Sequence, residues 1–153
     1  MLMISRADFA DPQLRVFLEA HLADLEPTAP PESQHALDFE ALQRPGVRLW
    51  VAADDGVIVG TAALSVLDDH HDELKSMRTE PACRGTGIAS QLLEHATGDA
   101  RSRNVARVSL ETGSDGFFAP ARRFYARHGF SECAPFGAYR PDPNSVFMTR
   151  VLA

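Results

Sequence analysis

The sequence predicts a mixed α/β fold with a largely antiparallel sheet, and three observations carry that prediction. Three strand patterns follow one another between Val47 and Arg78, joined by the short polar turns Asp54-Asp55-Gly56 and Asp68–Asp72. An amphipathic pattern of Ile88, Leu92, Leu93, Ala96 and Ala100 then leads to a further strand, which makes one βαβ-type passage in the second half. Strand-like segments also open and close the chain, at Met1–Ala7 and Val146–Leu152.

Taken in order, Asp11-Pro12 reads as a helix start, with Asp as N-cap and Pro at the first helical position. Leu14, Phe17, Leu18, Leu22 and Leu25 follow as one apolar stripe. Glu26–Pro31 is a rigid, proline-rich connector, and a second short helix is expected from Ser33 to Gln43, stopped by Pro45-Gly46. Val47–Val51, Val57–Leu67 and Glu73–Arg78 are the three consecutive strands, with Gly60 marking a bulge or a close backbone approach. Val105–Thr112 is the strand after the amphipathic helix. Ala119–His128 is a last helix, with Gly129 as its C-cap.

The chain has 153 residues, 44% hydrophobic and 24% charged, which suits one globular domain spanning 1–153. It needs no disulfide framework, and its two cysteines, Cys83 and Cys133, suit a reducing compartment. No signal-peptide core and no membrane-length apolar run are visible, so a cytoplasmic protein is expected. A net charge of −6 argues against nucleic acid as partner and is compatible with a cationic substrate.

The most informative stretch is Met77–Ala89. There a strand ends, a turn with Gly85 and Gly87 follows, and a long helix begins. Amide N–H groups at a helix start lack intrahelical partners and carry the positive end of the helix dipole. Glycines let an anion approach them, and Arg84 can add charge. A strand-to-helix turn can also hold glycines for geometry alone. No Gly-Lys-Ser/Thr follows, which excludes a Walker loop, and Ser90 stands where a dinucleotide fingerprint needs its third glycine.

Arg84-Gly85-Thr86-Gly87-Ile88-Ala89 resembles the R-x-x-G-x-G/A signature of the GNAT superfamily of N-acetyltransferases. Downstream, Ala121-Arg122-Arg123-Phe124-Tyr125-Ala126-Arg127-His128-Gly129-Phe130 resembles the same superfamily's A-xx-Φ-Y-xxx-G-F segment. Pro30–Ser33, Glu73–Arg78 and Asp142–Met148 resemble segments of a branch of small, stand-alone bacterial members. The resemblance implies the GNAT fold, a mixed and mostly antiparallel sheet of six or seven strands flanked by about four helices. It also implies acetyl-CoA as co-substrate. One departure is Phe118, which stands where many relatives carry an Asn that contacts the pantetheine arm; Ser114 and Asp115 are the candidates to replace that contact.

Amide formation from a thioester needs a neutral amine, a polarised carbonyl and a proton for the departing thiolate. The resemblance assigns cofactor binding to Met77, Arg78, Thr79, Arg84, Gly85, Thr86, Gly87, Ile88, Ala89 and Ser90, with Val108–Thr112 across a V-shaped gap. It makes Tyr125 the general acid, because a phenol of pKa about 10 stays protonated at neutral pH. An alkylamine of pKa about 10.4 is only about one part in two thousand neutral at pH 7, so a base helps. Glu73 is the first candidate, Glu111 the second or a substrate anchor, and His71 an alternative to Glu73. His35 is a candidate substrate contact. Asp68-Asp69-His70-His71-Asp72 reads as a solvated turn, so no metal is expected.

The resulting reading is direct acetyl transfer from acetyl-CoA to a primary amine of a small molecule, without a covalent enzyme intermediate. A protein N-terminal or lysine amine is the alternative acceptor. A non-catalytic acyl-CoA sensor and a nucleotide-binding α/β protein are the rivals from other classes. A homodimer is left open, because no interface signal demands one.

Overall fold

Asp11 starts the first helix as its sequence suggests. Its carboxylate accepts a hydrogen bond from the Gln13 amide at 3.0 Å, and Pro12 occupies the first turn, where no amide is needed. The computed structural model describes residues 1–152. Within them, strand β1 (Leu2–Arg6) precedes helix α1 (Pro12–Leu25). Strands β2 (Val47–Asp54), β3 (Val57–Asp68) and β4 (His71–Thr79) follow, then α2 (Ile88–Ser102), β5 (Arg107–Gly113), α3 (Ala119–Arg127), β6 (Ser131–Glu132) and β7 (Ser145–Val151). The strands form one seven-stranded sheet in the order β1-β2-β3-β4-β5-β7-β6, antiparallel except where β4 meets β5.

Each face of the sheet has its own apolar layer. On one face, Leu92, Leu93, Ala96 and Ala100 of α2, with Tyr125 of α3, pack on Ala62, Leu74, Val108, Leu110 and Met148. Gly60 is a close approach: a β-carbon there would stand 2.8 Å from Leu92 Cδ1, and the β2–β3 register also shifts beside it. On the other face, Leu14, Phe17 and Leu18 of α1 pack on Leu49, Val51, Ile58 and Ala63. Burying each Leu, Ile, Val, Phe or Met side chain of these layers contributes about 1.5–3 kcal/mol, so the helices are held by their stripes rather than by propensity.

The helix expected over Ser33–Gln43 is not formed. Two 3₁₀ turns, Pro31–Ser33 and Ala41–Gln43, flank an irregular link, so the sheet carries three α-helices instead of about four. Leu37 and Phe39 both turn onto the α1 layer at a spacing of two, which an extended chain satisfies and a helix does not. The Asp38 carboxylate then accepts from the Ala41 amide at 2.8 Å and starts a fresh turn. Strand β6, two residues long, was too short to leave a pattern in the sequence.

The feature that positions the site is a split in the sheet. β4 and β5 run parallel and pair only at His71↔Arg107, Asp72↔Val108 and Glu73↔Ser109. Beyond Glu73 the strands part, while β5 stays paired with β7 as far as Gly113↔Ser145. Ser76, with φ of 53°, forms a bulge against β3, and the buried Thr61 hydroxyl donates to its carbonyl at 2.8 Å. That bulge redirects the end of β4 away from β5.

Candidate functional site

Two cavities open from the split. The first, of about 580 Å³, lies beside the start of α2 and is lined by Met77, Arg78 and Thr79 of β4, by Arg84, Gly85, Gly87, Ile88, Ala89 and Ser90, and by residues of α3. The second, of about 610 Å³, lies under the chain between α1 and β2. Its walls include His35, Lys75, Glu111 and Asn144. His21, Leu25, Met77, Phe118, Ala121 and Tyr125 line both, so the two volumes meet at one shared wall.

The first cavity has the character of an anion site. Gly85 and Gly87 have φ of 81° and 85°, a left-handed conformation that favours glycine, and a β-carbon at either would meet nothing within 4 Å. No turn or loop hydrogen bond uses the amides from Gly85 to Ser90. Those at the head of α2 also carry the positive end of the helix dipole. Of the residues expected here, Thr86 does not line the cavity, and its hydroxyl donates to the Cys83 carbonyl at 2.5 Å instead. The Arg78 guanidinium donates to Asp24 of α1, which also lines this cavity, at 2.6 Å and lies 5.4 Å above the Phe17 ring. Arg127 adds a second cation beside Arg84, which its place in the Phe124-Tyr125 motif could have signalled.

Tyr125 stands at the shared wall. Its ring packs against Phe124 and Phe130, and burial pushes the phenol well above its ordinary range. Among the described residues its hydroxyl has no hydrogen-bond partner, yet it is not one of the sealed, unsatisfied atoms. It therefore faces the open volume.

The other titratable candidates separate. Glu111 lines the second cavity. Burial raises its carboxyl above the ordinary range, against the smaller pull of Ser145, His35 and Lys75. The Ser145 hydroxyl stands beside it without closing a hydrogen bond of good geometry. Glu73 lies behind that wall. Its Oε2 accepts from Lys75 Nζ at 3.1 Å and from the Tyr139 hydroxyl at 2.5 Å, and the residue lines neither cavity. His71 lies further back, 2.6 Å from Ser109 Oγ with its ring against Phe136, and lines neither cavity. His35 does reach the second cavity, from the irregular link rather than from a helix, with its ring edge on Tyr139.

Phe118 packs onto the backbone of Gly113 at the mouth of the split. Ser114 and Asp115 do not substitute for the missing amide side chain. Ser114 donates to the Pro143 carbonyl at 2.7 Å, Asp115 caps the Gly116–Phe118 turn, and neither lines a cavity.

His21, Lys75 and Tyr139 were not found from sequence. His21 falls on the Leu14–Leu25 stripe, three residues after Leu18, so a polar residue on an apolar face was the available signal. Burial, with Arg78 nearby, lowers its pKa to about 4, and the imidazole is neutral at pH 7. Tyr139 comes from the Cys133–Asn144 loop, where no periodicity points anywhere.

The model of the acetyltransferase (GNAT) family matches residues 14–130. The chain is 43% identical to the uncharacterized N-acetyltransferase YsnE of Bacillus subtilis (strain 168), covering 95% of this chain and 96% of that protein. It is 40% identical to the uncharacterized N-acetyltransferase YedL of Escherichia coli (strain K12), over 99% and 96% of the two chains. The structure is similar to that of a putative acyl-CoA N-acyltransferase from Klebsiella pneumoniae, with a TM-score of 0.81, 27% identity and coverage of 100% and 99%. Among the described residues no helix is long and apolar enough to cross a membrane.

Proposed function

The chain belongs to the acetyltransferase (GNAT) family, whose enzymes use acetyl-CoA as co-substrate, and on that footing we propose direct acetyl transfer to the primary amine of a small molecule, with Tyr125 as general acid and Glu111 as general base. The single observation that carries this reading is Tyr125 at the wall common to both cavities, beside the split between β4 and β5.

The residues suit the co-substrate's parts. The free amides from Gly85 to Ser90, with Arg84 and Arg127, fit a diphosphate. The β5-facing edge of β4 beyond Glu73 has no strand partner and can bond an amide-bearing arm. Acetyl-CoA supplies the activated acyl group. In the transfer a bond forms between the amine nitrogen and the acetyl carbon, and the carbon–sulfur bond breaks. One proton leaves the ammonium for solvent before attack. Glu111 takes the second from the nitrogen as the amide forms, and Tyr125 gives its own to the departing thiolate; the proton on Glu111 then returns to Tyr125 through solvent. A carboxyl raised by burial is the better base, since its pKa lies nearer the working pH. Burial keeps Tyr125 protonated, as an acid must be.

A cavity of about 610 Å³, bordered by residues of the 26–36 segment and by Asn144, has the size of a small-molecule site, which favours a small acceptor over a protein terminus. Two free thiols, Cys83 and Cys133, fit a cytoplasmic setting. Thiol release measured over an amine panel tests the reading. Turnover that survives both Tyr125→Phe and Glu111→Gln would remove it.

A further inference from the structure

A lysine ammonium in the wall of an amine-binding cavity is chemically odd, because it repels the cationic acceptor. Lys75 is such a group, with its side chain only 10% exposed. An ion pair buried to this degree adds little net stability over apolar packing, so holding the fold together does not account for it. Its Nζ has three donors. One goes to Glu73 Oε2 and one to the Tyr139 hydroxyl, both at 3.1 Å. Neither of those partners lines the cavity, whereas Lys75 does, so the third donor is left for the open side. Tyr139 is itself clamped, its ring 4.9 Å from His35, 5.1 Å from Phe136 and 5.3 Å from Phe147. The ammonium is thus held in one position with a bond to spare.

The register shows what lies opposite. Glu73 pairs with Ser109, and paired residues of parallel strands point to the same face. Two residues further along each strand stand Lys75 and Glu111, on that same face, where the strands have parted. They form no ion pair with each other. One fixed cation and one carboxylate thus face each other across the split at the cavity wall. A plain amine would satisfy Glu111 and leave the third Lys75 donor unpaired. A diamine would set a second cation against it. A molecule with both an ammonium and a carboxylate satisfies both.

We propose that the acceptor is an amino acid, its carboxylate held by Lys75 and its amine facing Glu111; this rests on the acetyltransferase reading above. Lys75 is then the residue that selects acceptors, and Glu73 and Tyr139 position it.

The test compares the common amino acids with their amides and with the corresponding decarboxylated amines, by thiol release with acetyl-CoA. The expected result is kcat/KM about 10–100-fold higher for an amino acid than for the matching amine, the scale of one charge-assisted hydrogen bond. In Lys75→Gln that ratio falls towards one, and Lys75→Arg restores part of it. Coenzyme A affinity by calorimetry stays at the wild-type value in both, since Lys75 lies outside the first cavity. Should Lys75→Gln fail to fold, the wild-type panel decides alone. Equal use of amines and amino acids, turnover of no amino acid, or an equal loss on every acceptor in Lys75→Gln overturns the inference and leaves acetyl transfer standing. A folded protein that does not bind coenzyme A brings down both.

Discussion

Tyr125→Phe deletes one oxygen from a side chain that is 8% exposed, and its effects on folding and on rate can be separated in advance. The ring stays, with its neighbours Phe124 and Phe130 at centroid distances of 5.4 and 5.7 Å. The hydroxyl bonds to no protein group among the described residues, so its loss orphans nothing. Stability should therefore change by less than about 0.5 kcal/mol, the range for substitutions that break no packing or network. The rate should not be spared. Positioned acid catalysis contributes about 10²–10⁴-fold, which corresponds to about 2.7–5.5 kcal/mol of barrier at 1.36 kcal/mol per decade. Because the proton moves only in the transition state, the loss should fall on kcat, with KM little altered. Steady-state thiol release, run beside thermal melting of the same sample, reads both quantities. A variant that melts like wild type and keeps kcat within about threefold would refute Tyr125 as the acid, since general acid catalysis is worth far more than that.

Glu111→Gln should flatten the acidic limb of the pH–rate profile and raise the melting temperature at pH 7. Burial raises the folded pKa of Glu111, so its contribution to stability is fully present below the unfolded value and lost as pH rises through the folded one; glutamine avoids that loss. Glu73→Gln should leave the acidic limb intact but destabilise the protein by about 3–5 kcal/mol in urea titration, because it strips a buried ammonium of its counter-charge; loss of the limb would return the base to Glu73. Gly87→Val should weaken coenzyme A binding by about tenfold or more in calorimetry. It meets no protein atom, so the accompanying loss of stability should be only the about 1–2 kcal/mol of a left-handed β-branched residue; unchanged affinity would argue against the amide cradle.

Sequence alone determined much of this protein, because much of it is local. The Asp11-Pro12 cap, the helical stripes, the turn at Asp54–Gly56 and the glycines ahead of α2 act through neighbours within a few residues, and each left a readable pattern. Two motifs in order also led to the family and to Tyr125. What only the tertiary structure decided concerns directions across the sheet. Glu73 and Glu111 are both strand glutamates, alike by every local measure. They differ because Tyr139, from a loop 66 residues away, hydrogen-bonds to one of them, and because the Ser76 bulge opens the strands beside the other. His71 fell out of the site, and His21 and Lys75 entered it, for the same reason. A side chain's local sequence sets its type and its face, but which of two cavities or which partner it meets depends on chain segments packed from far away.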